Sequence, residues 1–108
     1  TLIKDITMGQ ADTVTKQKIE LKEPPMFKVI YLNDSQTTME FVIESLIDVF
    51  NYSAETAFQI TEDIHHAGSA VVAVLPYEIA EQKGIEVTVS ARSQNYPLQV
   101  KLEPEGSQ

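Results

Sequence analysis

The hydrophobic pattern changes period within a single short stretch, and that change restricts the chain to folds in which a strand feeds directly into a helix. Phe27-Lys28-Val29-Ile30-Tyr31-Leu32 is short, β-branched and aromatic-rich, and the Asn33-Asp34 turn signal closes it, as expected of a strand. From Met39 the apolar residues recur at Val42, Ile43, Leu46, Ile47 and Phe50, which is one face of a helix. Between them, Thr37-Thr38-Met39-Glu40 fits a capping box, with the Thr37 hydroxyl expected on the N–H of Glu40. Asn33 and Asp34 therefore fall on a short loop held at both ends by regular structure, a common place for binding groups.

The remaining elements follow in order. Ser53 is a good N-cap for a second helix with Glu55 in its first turn, and Gly68 is a suitable left-handed stop. On that helix Ala54, Ala57, Phe58, Thr61, Ile64 and His65 share a face. The continuous apolar run Ala70–Leu75 predicts a central strand buried on both sides, or at least well covered, ended by Pro76. A third helix is expected from about Tyr77 to Arg92 or Gln94, with Ala80, Gly84, Val87 and Ala91 as its inner stripe. Leu98 to Glu103 alternates as a last strand with one wet face. The order β-α-α-β-α-β is too short for parallel crossovers covered on both faces. It predicts an α+β fold, a three-stranded antiparallel sheet with three helices packed on one side. Residues 1–25 are expected as a flexible N-terminal extension, 26–103 as the core domain and 104–108 as a tail.

Charge and composition narrow the function. Eight basic against sixteen acidic groups give a formal charge of −8, the wrong sign for nucleic acid or an anionic membrane surface. The chain has no cysteine, which removes thiolate metal sites and thiol nucleophiles. It fits a reducing compartment, the cytoplasm or an organelle stroma. No apolar run reaches the roughly 20 residues of a membrane span. His65 and His66 are adjacent on a helix and point about 100° apart, so they do not chelate one ion, and no metal or cofactor is expected.

The polar residues leave two classes of function open. Asp34 and His65 could serve a small acidic hydrolase, although there is no nucleophile elbow or Gly-rich oxyanion loop. The same residues with Asn33 form an acceptor set beside an apolar wall of Met39, Ile64 and Leu98. That combination would suit a ligand with a bulky side chain next to a positive charge. A protein-interaction domain with a closed pocket is the third possibility.

Leu32-Asn33-Asp34, Thr37-Thr38-Met39-Glu40-Phe41-Val42, His65 with Gly68, Tyr77-Glu78-Ile79-Ala80-Glu81-Gln82-Lys83 and Tyr96-Pro97-Leu98 occur in that order. Together they resemble the ClpS family, adaptors that bring N-end-rule substrates to the AAA+ unfoldase of the Clp protease. The resemblance implies a non-catalytic, monomeric module that binds protein N-termini beginning with Leu, Phe, Tyr or Trp. It implies that Asn33, Asp34 and His65 hold the α-amino group, that Thr37 contacts the peptide near its first residues and that Met39 excludes β-branched side chains. Val42, Thr61, Ile64 and Leu98 would line the pocket. Glu78 and Lys83 would dock on the N-terminal domain of the unfoldase, and the N-terminal extension would serve delivery. Ser35, Gln36 and Thr61 depart from the family's usual residues, which bears on side-chain preference more than on the α-amino contacts.

Overall fold

The structure is a computed structural model that describes residues 24–106. The expected extension, residues 1–25, lies outside the described residues except for Pro24 and Pro25. The elements run β1 (Met26–Leu32), α1 (Met39–Phe50), α2 (Ala54–Ala67), β2 (Ser69–Pro76), α3 (Tyr77–Ser93) and β3 (Gln99–Pro104). The strands form one antiparallel sheet in the order β2-β1-β3, with the helices on one side, as the sequence predicts.

The central strand is β1, not β2. Val29 pairs with Ala73 and Leu102, and Tyr31 with Ala70 and Val100, so these residues turn one face of the sheet towards the helices. Val29 and Tyr31 are fully buried there. The continuous apolar run of β2 reads as a central strand, yet β2 lies at an edge, and Val71 and Val74 stay exposed on the open face. A β-bulge explains part of the run. Ile30 pairs with Val71 and Val29 with Ala73, which leaves Val72 as the extra residue. Val72 is buried, and its carbonyl accepts the Tyr52 hydroxyl.

The buried face of α1 is Phe41, Val42, Ser45, Leu46 and Val49. It is rotated from the expected stripe. Met39 is exposed, and Ile43, Ile47 and Phe50 are only partly covered. Ser45 is tolerated inside because its Oγ donates to the Val42 carbonyl at 2.8 Å and bonds the Tyr31 hydroxyl at 2.7 Å. Burial pushes the Tyr31 phenol well above its ordinary range, and the Ser45 contact offsets only part of that.

Ser53 caps α2 by accepting from Thr56 N–H, and Gly68 ends it in the left-handed region at φ 92°. Of the residues expected to share one face of α2, Ala54, Phe58 and His65 are exposed, and Ala57, Thr61 and Ile64 are buried. In α3 the buried residues are Ala80, Gly84, Val87 and Ala91, the expected stripe. A β-carbon at Gly84 would stand 3.6 Å from Val100 Cγ1, an ordinary van der Waals contact, so α3 packs close to β3 here without requiring glycine.

Candidate functional site

The carboxyl end of β1 is where the loop, two helix ends and the last strand meet. Leu32 pairs with Ser69 on one side and with Gln99 on the other. One residue later, the Asn33 N–H donates to the Gly68 carbonyl at 2.8 Å. Gly68 in turn donates to the Ile64 carbonyl at 2.9 Å, closing the last turn of α2, the turn that carries His65. On the opposite flank Leu98, just before β3, is 1% exposed. The sheet therefore brings Asn33, His65 and Leu98 to one end of the molecule from three separate elements.

Asp34 organises the loop. Its Oδ1 accepts the backbone N–H of Gln36 at 2.8 Å and of Thr37 at 2.7 Å, and its Oδ2 accepts the Thr37 hydroxyl at 2.7 Å. Burial alone would push its pKa up. The Thr37 and Gln36 donors and the positive charge of Arg92 outweigh this and hold it below the ordinary carboxylate value. A carboxylate offers about four acceptor positions, and the loop occupies three of them. The carboxylate is ionised and oriented with acceptor capacity remaining.

Thr37 is therefore not the helix cap expected of it. Thr38 is the N-cap of α1, its Oγ1 accepting from Phe41 N–H at 3.1 Å. With two consecutive threonines before the helix, Asp34 takes the first and the helix the second. Thr38 also reaches the Tyr96 hydroxyl at 3.4 Å, and the Tyr96 ring lies 5.3 Å from that of Phe41.

The apolar residues expected to line a pocket beside this loop are buried. Val42, Ile64 and Leu98 belong to the same buried cluster, at 6%, 3% and 1% exposure. Thr61 is equally buried, and its hydroxyl donates to the Ala57 carbonyl at 2.7 Å within its own helix, so it adds no unpaired polar group to the cluster. Met39 stands at the start of α1, 37% exposed. Asn33 and His65 are exposed. His65 makes an edge contact with the His66 ring, and among the described residues it has no hydrogen bond.

The sequence reading did not single out Arg92. Its Nη1 donates to the carbonyls of Tyr96 and Leu98 at 2.9 and 2.8 Å, tying the turn that precedes β3 to the end of α3. The available signal was its position: the chain's one arginine stands in a last helical turn, immediately before an Asn-Tyr-Pro turn.

Glu78 and Lys83 lie apart from this loop, on the first half of α3. Glu78 is exposed in the first turn, where α3 follows Pro76 and Pro76 pairs with Met26 at the opposite end of the sheet. Lys83 is half-buried. Its Nζ donates to the Val49 carbonyl at 2.9 Å and stands 5.9 Å from the centre of the Phe50 ring, serving the last turn of α1, which has no basic residue of its own.

Acceptor groups at the end of β1 beside buried apolar side chains have the chemistry to receive hydrogen-bond donors next to a hydrophobic group. All three Asp34 bonds stay within its loop, and none joins it to His65, the partner the hydrolase reading gives it.

The family described as ATP-dependent Clp protease adaptor protein ClpS matches residues 22–101. A ClpS adapter protein of Campylobacter jejuni (strain RM1221) is 45% identical over 93 residues, spanning 86% of this chain and 97% of that protein. One from Clostridium acetobutylicum is 46% identical over 91 residues, with 84% and 90% covered. The solved structure of Agrobacterium tumefaciens ClpS2 bound to L-phenylalaninamide superposes with a TM-score of 0.75 at 40% identity, over 77% of this chain and all of that one. The chain belongs to the ClpS family, adaptors of the ATP-dependent Clp protease rather than enzymes.

Proposed function

We infer that the chain binds the free amino terminus of proteins whose first residue is Leu, Phe, Tyr or Trp, and delivers them to the AAA+ unfoldase of the Clp protease in the cytoplasm. The observation that carries this reading is the likeness to Agrobacterium ClpS2, whose ligand there is L-phenylalaninamide. That molecule has an ammonium, a benzyl side chain and an amide in place of the next peptide bond. An ammonium has three donors and no acceptor. The Asn33 side-chain carbonyl, the remaining capacity of the Asp34 carboxylate and a His65 ring nitrogen are the acceptors that meet it. Thr37 stands beside the first peptide bond. The first side chain enters between Val42, Thr61, Ile64 and Leu98, and Met39 excludes branching at its β-carbon. Burying that side chain contributes about 1.5–3 kcal/mol. Charge-assisted bonds add about 1.5–3 kcal/mol each before association costs.

In this reading Glu78 and Lys83 face the N-terminal domain of the unfoldase, at a distance from the Asp34 loop that leaves both partners room, and the N-terminal extension serves delivery. The test is a titration of the ¹⁵N-labelled protein with L-phenylalaninamide. Shifts centred on Asn33, Asp34, His65 and Gly68 are expected. Binding that moves other surfaces and leaves these unchanged contradicts the assignment.

A further inference from the structure

Arg92 leaves one edge of its guanidinium unused. Nη1 donates to the Tyr96 and Leu98 carbonyls, at 2.9 and 2.8 Å. A guanidinium carries five donors in one plane, so Nε and Nη2 keep three. That edge is a fork matched to a carboxylate, and among the described residues it meets no acceptor.

Arg92 lines an open cleft of about 360 Å³ together with Gln36, Asn95, Tyr96, Pro97 and Gln99. The carboxamides of Gln36, Asn95 and Gln99 add N–H donors, and no acidic side chain among the described residues lines the cleft. Its walls are held in place. Asn95 takes the left-handed region at φ 65°, with its N–H on the Arg92 carbonyl at 3.0 Å. Gln99 pairs with Leu32 in the sheet. Gln36 hangs on the binding loop, since its N–H and that of Thr37 share Asp34 Oδ1. Arg92 is close enough for its charge to lower the Asp34 pKa, although no ion pair joins the two.

We propose that this cleft is a second subsite for the bound amino terminus, in which the free edge of Arg92 takes the carboxylate of an Asp or Glu at the second residue. The subsite rests on the amino-terminus reading, in which Thr37 stands beside the first peptide bond. The second residue then leaves past Gln36, the neighbour of Thr37 and an exposed residue. Successive side chains of an extended segment point to opposite sides. With the first in the apolar pocket, the second is directed outwards, to the side of the loop where Gln36 lines the cleft.

Charge selects a carboxylate over a neutral side chain. Lys28, Lys83, Arg92 and Lys101 are the basic side chains among the described residues. Lys83 is engaged by the Val49 carbonyl, Lys101 by Glu103, and Lys28 pairs across the sheet with Glu103. Arg92 is the basic group beside the binding loop, and Ser35 next to Asp34 adds no opposing charge.

The test is isothermal titration of the full chain with Phe-first peptides that carry Glu, Gln or Lys second and are identical beyond. Affinity should fall in the order Glu, Gln, Lys, with Glu about threefold to tenfold tighter than Gln, the range of a partly exposed ion pair. The difference should shrink in about 0.5 M salt. Arg92→Gln should abolish it. Because Arg92 also ties the turn before β3, Gln99→Glu supplies an independent variant at an exposed position on the cleft wall. It should cancel or reverse the preference for Glu while leaving affinity for the Gln peptide within about twofold. Equal affinities for the three peptides, or a preference for Lys, overturn the subsite and leave the amino-terminus reading standing. A preference for Glu that survives both substitutions places the carboxylate elsewhere and also overturns it. Failure of all three peptides to bind removes the amino-terminus reading and the subsite with it.

Discussion

Asp34 and Thr37 are joined twice, the Thr37 N–H to Oδ1 and its hydroxyl to Oδ2, both at 2.7 Å. The pair turns a two-residue polar turn into a fixed acceptor, because the donors that shape the loop are the ones that keep the carboxylate ionised.

Removing one of those donors should be visible in the pH dependence of stability. The Asp34 pKa in the folded protein lies below the ordinary 3.8. Its stabilising contribution is therefore complete above the unfolded value and is lost as pH falls through the lowered folded one. Thr37→Val should destabilise the protein at pH 6 by up to about 1 kcal/mol, a modest figure because the carboxylate is largely open to solvent. Denaturant titrations of both proteins should converge as pH falls below about 3.8, in the direction this linkage requires. A gap that persists unchanged to low pH would place the effect outside the Asp34 pair.

Thr38, rather than Thr37, caps α1. Thr38→Ala should cost about 1 kcal/mol at any pH where the protein is folded. A helix that tolerates Thr38→Ala but not Thr37→Ala would restore the capping box expected from sequence.

These neighbouring threonines mark where sequence reading reaches its limit. Periodicity found α3 and its inner stripe, because Ala80, Gly84, Val87 and Ala91 recur at helical spacing. It rotated α1, because that helix is apolar on two sides, and only packing decides that Phe41 and Val49 go inside while Met39 stays out. It made β2 central because Val71 and Val74 are as apolar as a buried strand's residues; sheet order is a matter of pairing partners and leaves no local mark. Asn33, Asp34 and His65 were individually legible, from the turn signal and the helix end. The competition between Asp34 and the helix for Thr37, and the Arg92 bonds to Tyr96 and Leu98, depend on contacts between elements and had no period to reveal them.

Met39 is 37% exposed at the start of α1, so its substitution should spare the fold. Met39→Ala should admit peptides with Ile or Val first by removing bulk at their β-branch, narrowing the difference between these and Phe-first peptides. Fluorescence anisotropy with peptides differing only in residue one measures it. Equal rejection of Ile by both proteins would leave Met39 without a gating role.

Lys83 and Glu78 should separate in a docking assay. Lys83 holds the Val49 carbonyl, so Lys83→Ala should cost about 1 kcal/mol of stability as well as any affinity for the unfoldase N-terminal domain. Glu78 is exposed, and its change to Gln should leave stability within about 0.5 kcal/mol. If both substitutions weaken docking while only Lys83→Ala lowers stability, the two residues share the interface. Docking that is indifferent to Glu78→Gln would move the interface elsewhere.

The central claim is recognition of a free amino terminus, and N-acetylation tests it with one atom group. Acetylation removes the ammonium's charge and two of its three N–H donors while keeping the first side chain. Isothermal titration of one Phe-first peptide, free and acetylated, should give measurable affinity for the free form, in the micromolar range at about −8 kcal/mol, and at least about a hundredfold loss for the acetylated one, since charge-assisted bonds are worth about 1.5–3 kcal/mol each. Equal affinities for the two peptides would contradict the account.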